Sequence, residues 1–323
     1  MVKENHVINI KILPILRCPV CKTGSLKVEH SLIKCQNTGC QNVFPIIDGI
    51  PILLNEKNSL FSTTDFISHK ATTFSFNHSF WMSLAKKIIP SMIDNFQVKK
   101  NMDRFIKLVL NKNEHPRALV IGGSILGEGM DKLVNTKDIE LIETDVSFGE
   151  RTALICDAHD LPFMDNSVDG IILQAVLEHV IDPNQCVSEA YRVLKEGGII
   201  YSETPFIQQV HMGKYDFTRY TELGHRRLFR KFDEIDRGAV GGPGMALAWS
   251  YRYFLLSFFE NKYFRNIIKV FANLTSFYLK YIDRYLIKKR GVFDAASGYY
   301  FMGKKVNKII DDRIIIESYK GLV

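Results

Sequence analysis

Residues 117–130 read Arg117-Ala118-Leu119-Val120-Ile121-Gly122-Gly123-Ser124-Ile125-Leu126-Gly127-Glu128-Gly129-Met130, an apolar run that breaks into a glycine-rich turn. A buried strand, a turn with few side chains and a following helix is the order that opens a nucleotide-binding unit. The glycines matter because a side chain there would push a ligand off the backbone amides and off the start of the helix expected next. Downstream, a second predicted strand begins at 138–141 and ends at Thr144-Asp145-Val146-Ser147. Asp145 then stands 23 residues after Gly122, where a carboxylate can accept both hydroxyls of an adenosine ribose.

The same alternation continues outward. A third element at 153–163, a fourth strand at 167–174, a helix at 184–195, the turn Glu196-Gly197-Gly198, a fifth strand at 198–203 and a last strand at 295–304 complete the pattern. Strands alternating with helices at this pitch predict an α/β fold, a doubly wound and mainly parallel sheet with its ligand at the carboxyl ends of the strands. Before the sheet, Phe96, Phe105, Leu108 and Val109 fall on helical spacings, so 57–115 reads as a linker with lead-in helices.

Thr144-Asp145-Val146-Ser147, Asp157-Ala158-His159-Asp160-Leu161-Pro162-Phe163, Val168-Asp169-Gly170-Ile171-Ile172, Val176-Leu177-Glu178-His179-Val180 and Val193-Leu194-Lys195-Glu196-Gly197-Gly198 together resemble class I S-adenosylmethionine-dependent methyltransferases over about residues 116–206. The resemblance implies a Rossmann-like methyltransferase domain that uses S-adenosyl-L-methionine. It implies that Gly122, Gly123 and Ser124 line the methionine and ribose side, Asp145 with Val146 holds the ribose, Asp157 with Ala158 meets the adenine, and Gln174 sits below the sulfonium. The first motif departs from the family pattern: Val120 stands where an acidic residue is usual, and Ser124 and Leu126 stand at the second and third glycine positions.

Methyl transfer needs alignment and a dry site, with a base only where the acceptor loses a proton. His179, in the Leu-Glu-His segment, is one candidate, against a purely structural role in its turn. After the fifth strand, His211-Met212-Gly213-Lys214-Tyr215-Asp216-Phe217-Thr218-Arg219-Tyr220 gathers ionisable and aromatic groups in a predicted loop. His211 or Asp216 is expected there as base, with Tyr215, Arg219 and Tyr220 touching the acceptor; the competing reading is a packed lid tied by an Asp–Arg pair. A similar cluster occurs in methyltransferases encoded with bacterial surface-glycan enzymes, which implies a sugar or glycolipid acceptor.

At the other end, Cys18-Pro19-Val20-Cys21 is answered fourteen residues later by Cys35, with Cys40 beyond it. Two close cysteine pairs at this separation can surround one tetrahedral zinc, whose four thiolates would leave no position for water and make the ion structural. Two disulfides are the alternative, but the sequence lacks the succession of a secretory signal, and Cys156 and Cys186 stand alone. Residues 42–54 read as two short strands broken by an Asp48-Gly49 turn. With the cysteines, this stretch resembles the zinc ribbon of tRNA-methyltransferase activator subunits, over about residues 13–54. The expected organisation is a zinc ribbon at 1–56, the linker at 57–115, and a methyltransferase domain at 116–323 with a helical insertion at about 245–290.

The chain has 323 residues, 46% of them hydrophobic, and a net charge of +7. Residues 249–290 hold nine Lys/Arg against Glu260 and Asp283, which is the whole +7, interleaved with thirteen aromatic residues. The rest of the surface is near neutral, which argues against a protein shaped throughout for nucleic acid. A basic amphipathic helix with aromatics can lie on an anionic bilayer; helices packed on the domain, or contact with RNA, are the alternatives. No apolar run approaches the roughly 20 residues of a membrane-spanning helix. The expectation is a cytoplasmic protein that methylates an oxygen of a sugar, glycolipid or related small acceptor, with peripheral contact to the inner membrane face through 249–290 left open beside packing on the domain. An rRNA or tRNA methyltransferase is the second reading, and a non-catalytic activating subunit the third.

Overall fold

The computed structural model describes residues 10–70, 89–94 and 96–322, so the middle of the expected linker, 71–88, lies outside the described residues. Around the cysteines, β1 (Leu26–Glu29), β2 (Leu32–Cys35), β3 (Val43–Ile47) and β4 (Ile50–Pro51) pair in sequence order as an antiparallel sheet. The turn between β3 and β4 has positive φ at Asp48 and Gly49, the conformation that an Asp-Gly hairpin favours.

The chain leaves the ribbon directly into the larger sheet. Ile52 bridges Ile155 in parallel and the Leu53 N–H donates to the Ile155 carbonyl at 2.9 Å, while Leu16 bridges Phe163. Ile52 and Leu53 are fully buried, and the ribbon's Ile33, Phe44 and Cys35 belong to the same apolar cluster as Leu119, Ile142 and Leu154 of the larger sheet. The ribbon therefore covers a sheet edge that would otherwise show unpaired backbone groups.

Two helices, α1 (Thr63–Ile67) and α2 (Phe96–Leu110), lead into the main sheet. Its strands are β5 (Arg117–Ile121), β6 (Glu140–Asp145), β7 (Leu154–Ile155), β8 (Val168–Gln174), β9 (Leu194–Pro205), β10 (Phe232–Gly241) and β11 (Gly298–Lys305), in the order β10-β11-β9-β8-β5-β6-β7. The central pairs are parallel; β11 runs antiparallel between β9 and β10. Both faces are covered, as a run such as Ala118-Leu119-Val120-Ile121 requires. Leu119 and Ile121 join one core cluster, and Ala118 and Val120 join Phe105 and Val109 of α2 in the other. The doubly wound expectation is met, and the strand order reverses between β5 and β8.

Several local expectations change. The helix expected after the glycine turn is only α3 (Asp131–Val134), so no helix N-terminus stands behind Gly122. The helix expected at 184–195 is α4 (Pro183–Val193); Leu194 is already extended and pairs with Val168, which turns Glu196-Gly197-Gly198 into an irregularity within β9. The third strand shrinks to two residues. Strand β10 was not expected, because Asp233, Glu234, Asp236 and Arg237 break any apolar pattern; as the outermost strand it leaves Asp233 exposed, and buried Arg237 is paired with Glu222 at 2.8 Å.

After α5 (Glu222–Leu228), the expected insertion is α6 (Pro243–Leu256), α7 (Lys262–Ser276) and α8 (Leu279–Leu286), with α6 packed on both of the others. Ala272, Ser276 and Asp283 are buried, whereas Phe264, Ile267, Phe271, Leu274, Tyr278 and Tyr285 are each about half exposed or more. The spacing of three or four residues from Phe264 to Leu274 puts those four on one apolar stripe of α7, and Tyr278 and Tyr285 follow at the start and near the end of α8. Two short helices, α9 (Val292–Ala295) and α10 (Asp312–Glu317), flank β11. Among the described residues, no helix is long and apolar enough to cross a membrane.

Candidate functional site

Where the strand order reverses, a cavity of about 570 Å³ opens at the carboxyl ends of β5, β6, β8 and β9, the position at which open α/β sheets bind ligands. Its size is that of an ordinary small-molecule site. Among the described residues, no Lys or Arg lines it.

One end is built from strand termini. Gly122 has φ +82°, which lets the chain turn out of β5 without the strain another residue would carry. The N–H groups of Gly122 and Gly123 both donate to the Thr144 carbonyl, at 2.8 and 2.9 Å, so these amides hold the neighbouring strand instead of facing the cavity. Gly123 does not line the cavity; a β-carbon there would stand 2.8 Å from that of Glu143. Its reading as a ligand-approach glycine is corrected to strand packing. Ser124, Asp145 and Val146 do line the cavity, and the Ser124 N–H donates to Asp145 Oδ2 at 2.9 Å. Burial raises the Asp145 carboxyl above its ordinary range.

Asp157 and Ala158 follow β7 and form the next wall. Burial alone would raise the Asp157 carboxyl, but the His159 ring at 2.6 Å, the His159 N–H at 2.9 Å and the Ser59 hydroxyl at 2.6 Å hold it below the usual range. Ser59 carries no motif and is missed by sequence reasoning, since the contact joins residues 98 apart. From the end of β8, Gln174 donates through Nε2 to the Glu128 carbonyl and to Glu203 Oε2, each at 3.1 Å. Its Oε1 is buried against Gly127 without a hydrogen-bond partner, an unsatisfied acceptor. Burial pushes the neighbouring Glu203 carboxyl up to about 7.

The opposite end is made by the segment after β8 and the loop after β9. His179 and His211 both line it, with ring centroids 4.8 Å apart and Nε2 atoms 3.1 Å apart. His179 Nδ1 donates to the Tyr215 carbonyl at 2.8 Å, and because a carbonyl only accepts, the proton sits on Nδ1 and Nε2 carries a lone pair. Burial lowers His179 to about 4 and also lowers His211. Behind both rings lies Glu178, fully buried, with neither carboxylate oxygen hydrogen-bonded; burial pushes it up to about 8. Glu178 stands in the Leu-Glu-His segment, so its position was visible in the sequence and its role was not.

Asp216 is corrected. It does not line the cavity, and its carboxylate is taken up by both Arg219 Nη atoms and by the His211 N–H at 2.9 Å. Despite burial, the Arg219 guanidinium holds it well below the usual carboxylate range. An ionised, fully engaged carboxylate is a poor base, so Asp216 and Arg219 form the tie that fixes the His211 loop. Tyr215 reaches the cavity, whereas Arg219 and Tyr220 do not. Met245 and Trp249, from the face of α6 turned to the sheet, close the outer wall.

At the amino end, Cys18, Cys21, Cys35 and Cys40 come together with all four Sγ atoms within 4.8 Å of one another. Cys18–Cys40 and Cys21–Cys35 are separated by 3.8 and 3.7 Å. A tetrahedron with Zn–S of about 2.3 Å has edges of about 3.8 Å, so the donor set fits zinc, and these distances are far beyond a disulfide bond.

Residues 130–202 match the methyltransferase-domain family. With the sheet order, this identifies a methyltransferase domain of Rossmann-like fold within the chain. The ubiquinone/menaquinone biosynthesis C-methyltransferase UbiE of Brucella canis is 36% identical over 90 residues, 28% of this chain and 30% of that protein. An uncharacterized 37.1 kDa protein in a Streptomyces fradiae transposon is 45% identical over 92 residues, 28% of this chain and 25% of that one. The chain thus spans less than a third of the length of these relatives. Among solved structures, the geranyl diphosphate C-methyltransferase of Streptomyces coelicolor is similar with a TM-score of 0.41 and 13% identity, over 64% of this chain and 76% of that one.

Proposed function

We propose that the protein transfers a methyl group from S-adenosylmethionine to a hydroxyl oxygen of a sugar, glycolipid or related small acceptor. The cavity carries this reading: a carboxylate and an unpartnered amide oxygen at one end, and two neutral imidazoles at the other. These residues fit the cofactor. Asp145 would accept from its ribose hydroxyls, Ala158 and Asp157 would flank its adenine, and Gln174 Oε1 would meet its polar methionine end. The cofactor supplies an electrophilic methyl on a sulfonium. The chain's own part is to align the acceptor, exclude water with Trp249, Met245 and Tyr215, and take the hydroxyl proton on His211 Nε2 or His179 Nε2.

The lack of Lys and Arg among the described lining residues favours this acceptor class over RNA, whose phosphates need cations nearby. Calorimetry is expected to show S-adenosylmethionine binding to the wild type, weakened about 10- to 100-fold in Asp145→Ala, which loses charge-assisted hydrogen bonds of about 1.5–3 kcal/mol. Absence of wild-type binding at millimolar cofactor would leave the activating-subunit reading. Labelled methyl appearing in RNA and not in glycan or glycolipid fractions would overturn the acceptor.

We also infer a structural zinc on the four cysteines, from the Sγ spacing, and a bilayer contact through α7 and α8. The second rests on the half-exposed apolar and aromatic residues from Phe264 to Tyr285, flanked by Lys262, Arg265, Arg284 and Lys288. Because α6 turns Met245 and Trp249 into the cavity, such a contact would bring a lipid-linked acceptor to its rim. Sedimentation should therefore require anionic vesicles, with each surface Lys or Arg contributing about 1 kcal/mol, weaken as salt screens those charges, and leave a salt-resistant part from the aromatics. Equal, negligible pelleting with anionic and neutral vesicles rejects the contact.

A further inference from the structure

We propose that Glu178, His179 and His211 form a divalent-cation site at the acceptor end of the cavity, separate from the four cysteines. The three side chains bring one carboxylate oxygen and two ring nitrogens within 4.8 Å of one another. Glu178 Oε1 is 3.6 Å from His179 Nε2 and 4.0 Å from His211 Nε2, and the two Nε2 atoms are 3.1 Å apart. Nitrogen ligands at about 2.0–2.1 Å from an ion are separated by about 3 Å in six-coordinate geometry and slightly more in a tetrahedron. The imidazole pair already has that spacing, and the carboxylate needs only a small side-chain adjustment.

Proton placement points the same way. The Nδ1–H of His179 is fixed on the Tyr215 carbonyl, and Nδ1 of His211 faces the Gln209 carbonyl at 3.4 Å and the Asp216 carboxylate at 3.4 Å. Such outer partners orient ligating histidines and hold the tautomer that leaves Nε2 free. His179 Nε2 then presents a lone pair at hydrogen-bond distance, 3.1 Å, from His211 Nε2, beside a carboxyl group whose two oxygens are buried without a hydrogen bond, so an ion here would take the place of the proton between the two rings. Among the described residues no lysine or arginine lines this end of the cavity, and the Arg219 guanidinium is bound to Asp216. Buried groups of this kind require a cation or a shared proton.

Two imidazoles and one carboxylate suit a borderline transition ion with open positions for oxygen ligands. If the transfer reading above holds, on which only this role depends, the ion would bind the acceptor hydroxyl, acidify it and fix it in the cavity. His179 and His211 would then be ligands, and the acceptor's proton would leave to solvent.

The test is a zinc titration of the full-length protein, read by calorimetry and by metal content after desalting. The wild type is expected to take up two equivalents, the first on the thiolates and the second on the histidines. Glu178→Gln and, separately, His211→Ala should keep the first and weaken the second at least about tenfold. The first is isosteric and the second is in a surface loop, and circular dichroism checks that both stay folded. A single equivalent in the wild type, or a second equivalent that survives both substitutions, overturns the site. Cofactor binding measured on the same samples separates the two ideas: a second equivalent without S-adenosylmethionine binding sinks the transfer reading and leaves the cation site standing.

Discussion

Replacing Cys18 and Cys21 by serine is expected to abolish the order of the ribbon and, with it, most of the affinity for S-adenosylmethionine. Structural zinc on four thiolates contributes about 10–16 kcal/mol to the folding of a small ribbon, far more than four short strands can supply by burial. A free-standing ribbon would unfold alone and leave the sheet intact. Here β4 runs on into Ile52 and Leu53, which pair with Ile155 beside β7, and the next turn delivers the Ser59 hydroxyl to Asp157 and Asn55 to Asp160. If the cysteines hold zinc as inferred, its loss would uncover the sheet edge and take the Ser59 hydroxyl from the carboxylate proposed to sit by the adenine, leaving only the His159 contacts to place it. Limited proteolysis should cut within residues 10–60 of the variant, and calorimetry should show at least a tenfold loss of cofactor affinity. An affinity within twofold of the wild type would mean that the ribbon is an appendage. The cysteine variant is preferable to a chelator, which would also strip an ion from Glu178, His179 and His211.

What could be read in the sequence was what local spacing encodes. The cysteine pairs, the Asp48-Gly49 turn, the apolar run before Gly122 and the carboxylate at the end of β6 each depend on neighbours in the chain, and each forms. The failures share a cause as well. Gly122 and Gly123 spend their amides on Thr144, a partner on another strand; Asp216 is fixed by Arg219 and the His211 loop; Ser59 reaches Asp157 across 98 residues. Strand β10 escaped because its charges, exposed at Asp233 and paired at Arg237, hide its period. His179 and His211 were visible singly, but their meeting 3.1 Å apart over Glu178 depends on how the loop after β9 folds back, which no periodicity encodes.

The glycine-rich run Gly241-Gly242-Pro243-Gly244 shows the same limit and leads to the second large effect. In the sequence it lies within an uncharged stretch, 238–251. In the fold, Asp283 of α8, 2% exposed, accepts from the N–H groups of Gly244 at 2.7 Å and Met245 at 2.8 Å. It thereby caps α6 from another helix, where the amides are otherwise unpaired and the helix dipole favours an anion. A β-carbon at Gly244 would stand 2.4 Å from the Leu279 carbonyl and 2.8 Å from Asp283 Oδ1, so the glycine makes the approach of α8 possible. Asp283→Ala removes two charge-assisted hydrogen bonds of about 1.5–3 kcal/mol each, and a loss of about 3–5 kcal/mol is expected, with the melting temperature falling on the order of 10 °C. Asp283→Asn, which keeps one acceptor oxygen but turns an amide donor toward the helix, should fall between. Because α6 carries Met245 and Trp249 into the cavity while Asp145 and Gln174 sit at the ends of strands, the alanine variant should lose methyl transfer more than cofactor binding. A thermal denaturation midpoint within experimental error of the wild type would show that α6 is held by its apolar contacts with α7 and α8 alone.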